Sequence, residues 1–418
     1  MTDVLARLFE PDVMADPGPF YRWVRENHPI QLHPAGFYLV STHAHASWMF
    51  RGNDLRAPET DELPLWYPRA VKYRSVALLL GSIAMTNPPT HTRLRRLVIR
   101  DFTAKRVEAL RPGMTALCDE LLDAAEERLR DGDTADLHGG LARELSMQVI
   151  ADLLGVPAED RHHLAPLVLR VLQSTSPIST DDMLADADAA THEVESYFTD
   201  LIARLRVTPG DNLFSDLVSA HYNDPDQLTD DELMSMVWGL WAGGFETSAA
   251  GIDNAIIALL RHPEQSHWLR RGQAEVRAFT REALRFDPPN LLTGVVRVAA
   301  HDTEVGGMAI PEGATVRALP ACANRDPAAF TDPDSFLPER DGSASLTFGQ
   351  GMHYCLGASL ARAEVEVVLP RLHARFPELQ LAGEPERRRS LPLRTCDRLL
   401  VTLQARPGEP RPAARPPR

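Results

Sequence analysis

One ten-residue segment, Phe348–Gly357, constrains this chain more than any other feature of its sequence; it reads Phe-Gly-Gln-Gly-Met-His-Tyr-Cys-Leu-Gly. It places Cys355 between a glycine-rich loop and a predicted helix that begins at this cysteine and runs towards Phe376. Gly349 and Gly351 permit backbone turns that are closed to residues with a side chain, so backbone N–H groups can approach the sulfur. The positive end of the helix dipole points at the same atom. Both effects favour a thiolate over a thiol.

A thiolate held in this way is a good axial ligand for haem iron, because its electron donation favours cleavage of an O–O bond. We expect Phe348 to pack beside the sulfur and to exclude water. The alternative is a buried structural cysteine, which the specific spacing of Phe, Gly, His and Gly disfavours. The other cysteines, Cys118, Cys322 and Cys396, form no CxxC or CxxH pair, so neither a disulfide scaffold nor a zinc knuckle is predicted.

A second unusual segment, Gly243–Ser248, lies inside a long apolar helix that is predicted to begin at the capping box Thr229–Glu232 and to end near Arg261. Two adjacent glycines cost about 1 kcal/mol each relative to alanine, which indicates a site where a flat ligand or dioxygen approaches the backbone. Thr247 can bond to a carbonyl one turn back. Glu246 and Thr247 can then relay protons. The alternative is a helix kink with a solvated glutamate.

The cysteine segment resembles the haem-binding loop of the cytochrome P450 family in its soluble bacterial form, and the resemblance extends over about residues 10–404. It implies a mainly α fold with a small β part, in a single triangular domain that encloses haem b. Cys355 is then the axial ligand of the iron, Thr247 steadies the oxygen during its activation, and Glu246 supplies protons from solvent. By the same resemblance, further haem contacts come from Ala242, Gly243, Phe348, Gly349 and Gly357.

The two haem propionates need cationic or hydrogen-bonding partners once they are buried. The resemblance gives this role to His91, Arg95, Arg297 and His353. His91 and Arg95 are spaced i, i+4 on one helical face. For any one of the four, a solvated side chain is the alternative.

A Glu282-x-x-Arg285 pair also lies on one helical face. Taken alone, it is compatible with a surface ion pair of little value. The resemblance implies a structural pair that ties its helix to the loop before the cysteine, with Arg340 as third partner.

Several mostly apolar segments are predicted to line a pocket for a lipophilic substrate, although each is also compatible with ordinary core. They are Leu78–Ile83, Ala242, Phe245, Leu291–Val295 and Ser390–Leu393. The resemblance implies electron supply by a ferredoxin and an NAD(P)H-dependent ferredoxin reductase, since the chain has no flavin or iron–sulfur motif. An acidic ferredoxin is expected to dock on a basic patch, which is otherwise an ordinary solvated face. Its candidate residues are Arg93, Arg96, Arg100, Lys105, Arg106 and Arg362.

The chain of 418 residues reads as one domain over residues 1–404, followed by a Pro/Arg-rich tail, 405–418, that is predicted to be disordered. Its net charge of −14 argues against a broad nucleic-acid surface. The sequence shows neither a signal peptide nor an apolar stretch of about 18 residues, so we expect a soluble, cytoplasmic monomer without a membrane span. Helices are predicted over 107–131, 141–154, 181–206 and 275–286, and strands over 37–42, 294–299, 304–310 and 315–319.

The resemblance implies a haem-thiolate monooxygenase that inserts one oxygen atom of O2 into a lipophilic small molecule by hydroxylation or epoxidation. Tailoring of a polyketide, macrolide, terpenoid or peptide is the class of reaction it suggests. Oxidative ring formation or phenol coupling on the same scaffold is an alternative, and a non-catalytic haem-binding protein is another. The presence of Cys355 together with Glu246 and Thr247 favours activation of dioxygen.

Overall fold

The computed structural model describes residues 3–59, 72–130, 132–224 and 227–403; the tail 405–418 lies outside them. Helices dominate the described chain, as predicted. They are α1 (Val4–Arg7), α2 (Pro11–Ala15), α3 (Gly18–Asn27), α4 (His43–Arg51), α5 (Arg74–Leu80), α6 (Thr90–Val98), α7 (Ala104–Arg130), α8 (Arg143–Leu154), α9 (Ala158–Leu172), α10 (Asp181–Val207), α11 (Leu213–Asn223), α12 (Asp230–Arg261), α13 (Gln273–Phe286), α14 (Pro320–Ala323) and α15 (Ala358–Arg375).

The β part is small. Its strands are β1 (Ile30–Leu32), β2 (Tyr38–Val40), β3 (Leu55–Arg56), β4 (Ala135–Asp136), β5 (Arg297–Ala299), β6 (Thr303–Val305), β7 (Met308–Ile310), β8 (Thr315–Ala318), β9 (Leu379–Leu381), β10 (Glu386–Arg387), β11 (Cys396–Arg398) and β12 (Leu400–Leu403). A five-stranded sheet has the order β1-β2-β8-β5-β3, and β2 and β8 pair in parallel. A three-stranded sheet, β4-β12-β9, and the pairs β6-β7 and β10-β11 complete the β part.

The central element is α12, which begins at the predicted capping box. The Thr229 side chain accepts from the Glu232 N–H, and the Glu232 carboxylate accepts from the Thr229 N–H at 2.9 Å. With 32 residues, the helix is about 48 Å long at about 1.5 Å per residue. It is buried on nearly all sides because α8, α13 and α15 pack around it. This arrangement places Gly243–Ser248 in the middle of the molecule.

The structure changes the type or the bounds of several predicted elements. The strand over 304–310 is the hairpin β6-β7, because Gly306 and Gly307 turn the chain with φ angles of 55° and 78°. The helix over 141–154 begins as a π turn, His138–Ala142, and becomes α8 at Arg143. The last helix begins at Ala358 and not at Cys355.

The predicted Glu282–Arg285 pair is fully buried and holds α13 to the segment that leads to the cysteine loop. Arg285 donates to both Glu282 oxygens at 2.7 Å, and it also donates to the Asn324 carbonyl at 2.7 Å. Arg340 donates to Glu282 at 3.4 Å, which confirms the third partner. Because every charge here has a partner, removing one of them leaves an uncompensated buried ion and costs about 3–5 kcal/mol.

Candidate active site

Helix α12 and the cysteine loop face each other across a cavity of about 420 Å³. Gly243 and Thr247 line it from α12, and Cys355 lines it from the loop. Other predicted site residues that line it are Arg95, Ala242, Phe348, Gly349, His353 and Gly357. The fold therefore gathers residues from three distant parts of the sequence around one space. Among the predicted site residues, His91, Arg297 and Glu246 lie behind this lining.

The cysteine loop has the backbone that its glycines predict. Gly349 and Gly351 have φ angles of 67° and 73°. A Cβ at Gly351 would lie 2.8 Å from the Phe50 carbonyl oxygen, so only glycine fits there. The Cys355 N–H donates to the Phe348 carbonyl at 3.0 Å, which closes the loop. Cys355 precedes α15, and the Gly357 N–H reaches back to it.

The pKa of the Cys355 thiol reflects opposing effects. Burial raises the pKa of this thiol, while the Gly357 N–H and the charges of Arg362 and Arg95 oppose that effect without overcoming it. A bound metal cation deprotonates a coordinating thiol, so the thiolate at Cys355 stays a prediction for the haem-bound protein. The other cysteines are buried thiols whose pKa burial raises to about 12, as expected of inert residues: Cys118, Cys322 and Cys396.

The four residues predicted for the propionates form a cluster of basic groups beside the cavity. The His91 and His353 rings lie 4.3 Å apart, and neither His91 Nε2 nor His353 Nδ1 has a partner within the described chain. Burial and the charges of Arg297, His91 and Arg95 lower the pKa of His353 to about 3. Burial also lowers the pKa of Arg297 to about 10. Because these basic groups repel one another when charged, a ligand with two negative charges would stabilise them. The two propionates of haem provide such charges.

The two adjacent glycines of α12 serve different purposes. A Cβ at Gly243 would meet nothing within 4 Å, so this position keeps the cavity open. A Cβ at Gly244 would lie 2.6 Å from Ile150, so this position lets α8 pack closely. Thr247 donates to the Gly243 carbonyl at 2.6 Å, which confirms the predicted hydrogen bond.

Glu246 points away from the cavity and is fully buried, so the solvated glutamate considered above is excluded. Neither carboxylate oxygen has a hydrogen-bond partner among the described residues. The nearest cations are Arg388, at 3.5 Å, and Arg143, at 3.7 Å, and both are partly exposed. Burial raises the pKa of Glu246, and the two arginines oppose this effect. Glu246 is thus a buried acid that directly precedes Thr247 in the chain and lies close to two partly exposed arginines.

The predicted substrate-pocket segments divide between cavity and core. Leu78, Ile83, Thr293–Val295 and Pro392–Leu393 line the cavity, as does Ala242. Leu291, Leu292 and Phe245 pack in the core instead. Further lining residues were not predicted, because neither periodicity nor a motif distinguishes them in the sequence: Ile150, Leu172, Ser174, Thr175, Met236 and Trp238.

The predicted basic patch is smaller than expected. Arg93 pairs with Glu232, and Arg100 pairs with Asp216. The charge of each arginine is therefore compensated within the protein. Arg96, Lys105 and Arg106 are exposed and form no ion pair within the described chain. Arg362 lies over the Phe348 ring, 4.4 Å from its centroid. It lines a cleft of about 400 Å³ outside the cysteine loop, together with two arginines that the sequence analysis missed, Arg51 and Arg281.

One buried acid near the site escaped the sequence analysis. Glu364 of α15 accepts from Ser146 at 2.9 Å and also interacts with Ser248. Burial raises its pKa to about 8, although both serines lower it. No sequence signal distinguishes Glu364 from Glu366, the other acid of the same helix.

A cysteine loop opposite a glycine–threonine helix segment, with basic groups at the side, defines the site of a haem-thiolate oxygenase. Residues 65–392 match the family model Cytochrome P450. The chain belongs to the cytochrome P450 family and is a P450 monooxygenase whose cofactor is haem b. Within the described residues, no helix combines the length and apolar character that crossing a bilayer requires.

Similar proteins cover nearly the whole chain. Cytochrome P450 BJ-3 of Bradyrhizobium diazoefficiens is 45% identical over 96% of this chain and 97% of that protein. Nocardicin C N-oxygenase of Nocardia uniformis is 37% identical over 92% of this chain and 94% of that protein. The crystal structure of Mycobacterium smegmatis CYP164A2 with econazole bound has a TM-score of 0.86 and 35% identity, over 96% of this chain and 99% of that chain.

Proposed function

We propose that this P450 inserts one oxygen atom of O2 into a C–H or C=C bond of a lipophilic small molecule in secondary metabolism. The observation that carries the proposal is the apolar cavity that joins Cys355 to Thr247. Leu78, Leu240 and Leu393 make part of its wall, which suits an apolar substrate. Relatives include 6-deoxyerythronolide B hydroxylase of Saccharopolyspora erythraea, 38% identical over 77% of this chain and 78% of that protein.

The chain's own groups supply binding, orientation and protons. Haem, when bound, supplies the redox chemistry that activates dioxygen. Cys355 would hold its iron, and the basic cluster of His91, Arg297 and their neighbours would hold its propionates. Thr247 presents its hydroxyl to the cavity while it donates to the Gly243 carbonyl. Glu246 delivers protons towards Thr247 from the side of Arg143 and Arg388.

Electrons come from a separate donor, for which we propose an acidic ferredoxin with its NAD(P)H-dependent reductase. The cleft lined by Arg51, Arg281 and Arg362 adjoins the outer face of the cysteine loop. A cationic face near the electron-accepting group steers an acidic partner and increases its association rate.

The reduced protein with carbon monoxide tests the ligand. We expect the Soret band typical of thiolate ligation, and we expect Cys355→Ser to lose it. Cys118→Ser, at a buried cysteine outside the site, is the matched control and should retain it. A normal thiolate-type spectrum in Cys355→Ser contradicts the proposal.

The oxygenase activity needs its own test. A natural-product library is screened for low-spin to high-spin shifts, and each hit is incubated with NAD(P)H, ferredoxin and reductase or with peroxide alone. The proposal predicts oxygenated product with the electron donors. Product with peroxide alone, or coupled rings without added oxygen, would favour the alternative chemistries.

A further inference from the structure

Helix α12 carries a second buried acid on the same face as Glu246. Asp253 follows Glu246 by seven residues, which is two helical turns, so the two carboxylates point in the same direction. Asp253 is completely buried, and its Oδ2 lies 2.7 Å from His138 Nδ1. Its Oδ1 has no partner among the described residues. The site described so far uses neither Asp253 nor His138.

A π turn brings two basic side chains onto these two acids. The Arg143 N–H donates to the carbonyl of His138, five residues back, across the π turn His138–Ala142. Because a π turn contains one residue more than an α turn, positions five apart come to share a face. His138 therefore faces Asp253, and Arg143 faces Glu246 at 3.7 Å. The pairs His138–Asp253 and Arg143–Glu246 thus lie next to each other along α12, and we call this arrangement the ladder.

The C-terminal strands close the ladder with a third cation. Arg388 lies 3.5 Å from Glu246 and donates to Asp397 at 2.6 Å. With His138 protonated, three cations face three carboxylates. The charged and titratable groups around His138 and Asp253 are Asp136 and Arg143 from their own segment, Glu246 from α12, and Arg387, Arg388 and Cys396 from the C-terminal strands.

We propose that His138, paired with Asp253, is a positioning residue that sets the proton affinity of Glu246 and thereby the pH range over which Glu246 can deliver protons. This inference rests on the proposed function, in which Glu246 supplies protons to Thr247. His138 acts through its charge and touches neither substrate nor haem. The ladder geometry, the complete burial of Asp253 and the unpartnered oxygens of both acids support the assignment.

The direction of the effect follows from the charges. Burial opposes protonation of His138, but the hydrogen bond and the charge of Asp253 raise its pKa overall. A protonated His138 lowers the pKa of Glu246, against the effect of burial. As pH rises through the pKa of His138, this positive charge is lost, and Glu246 holds its proton more tightly. The proton affinities of the two residues are thus coupled.

Infrared titration of the haem-loaded protein tests this coupling directly. The band of the protonated Glu246 carboxyl is assigned by its loss in Glu246→Gln, and any Asp253 band by its loss in Asp253→Asn. In His138→Gln we expect the midpoint of the Glu246 band to shift to higher pH. His221→Gln is the matched control, because His221 is also buried and faces an acid, Asp230, at 3.1 Å. It should leave the midpoint unchanged.

A second measurement covers the case in which His138→Gln folds poorly. Nitrogen NMR of the wild-type histidines should show His138 protonated to a higher pH than an ordinary histidine, and Asp253→Asn should lower its midpoint. A Glu246 midpoint unaffected by His138→Gln overturns the inference, and so does a neutral His138 throughout. Loss of the thiolate-type carbon monoxide band in the wild-type protein would instead contradict the proposed function, so the two failures are distinguishable.

Discussion

At the scale of single residues, the site depends on side chains whose surroundings change their chemistry. Thr247 donates its hydroxyl proton to the Gly243 carbonyl, so its oxygen can still accept a hydrogen bond. Burial keeps Glu246 a weaker acid than usual, while Arg388 and Arg143 limit that effect. Burial raises the pKa of the Cys355 thiol, and a metal cation bound to the sulfur would lower it. Each residue type was evident from the sequence, but its ionisation depends on neighbours.

Replacing Thr247 tests the role of its hydroxyl. If Thr247 guides protons from Glu246 as proposed, product formed per NAD(P)H consumed should fall by about tenfold or more in Thr247→Ala, with a matching rise in hydrogen peroxide. Thr247→Ser keeps a hydroxyl at this place and should retain most of the coupling. Unchanged coupling in Thr247→Ala would remove this residue from the proton route. Product and peroxide are measured in the same reaction.

At the scale of elements, the cavity exists because α12 approaches α8 closely on one face and leaves the other face open. Gly244 permits the close approach to Ile150, and Gly243 faces the open space. The α13 ion pair fixes the segment that carries the cysteine loop on the opposite side. The sequence marked both glycines as unusual, but only the packing of α8 shows that they have separate roles.

Replacement by alanine should therefore change the free energy of unfolding differently at the two glycines. Gly243→Ala adds a methyl group in open space and improves helix propensity, so we expect the free energy of unfolding to stay the same or to rise by up to about 1 kcal/mol. Gly244→Ala forces Ile150 to move, and overpacking of about 1–3 kcal/mol should cancel or exceed that gain. Chemical denaturation of both variants measures the difference. A Gly244→Ala variant more stable than Gly243→Ala would contradict this account.

At the scale of the whole molecule, charge is distributed unevenly. The net charge is −14, yet arginines surround the outer face of the cysteine loop. Two of the six cations predicted there are paired with Glu232 and Asp216, while Arg51 and Arg281 take part in their place. The proposed docking face thus depends on which cations have no ion pair among the described residues.

A charge reversal in the cleft tests this face. In Arg51→Glu we expect the second-order rate of reduction by an acidic ferredoxin to fall by about tenfold at low salt, because steering is lost. The difference should shrink as ionic strength rises. Arg128→Glu, on an exposed position outside the cleft, changes the net charge equally and serves as the control. Equal slowing in both variants would show that only overall charge matters.

Much of this protein follows from its sequence alone. The Cys355 loop, the Gly243–Thr247 segment, the Glu282–Arg285 pair and the capping box at Thr229 are local patterns, and local backbone and side-chain chemistry fixes what they can do. The resemblance to the P450 family rests on these patterns, and the family match confirms it. Local patterns were sufficient to predict features whose interacting residues lie within about one helical turn or one loop.

Only the tertiary structure decided the remaining features, because these features depend on residues that are far apart in the chain. The arginines of the proposed docking face that have no ion pair among the described residues are of this kind. So is the facing of His138 and Asp253, which are 115 residues apart. Burial and long-range pairing set the charge of such groups, and no local pattern encodes either of them.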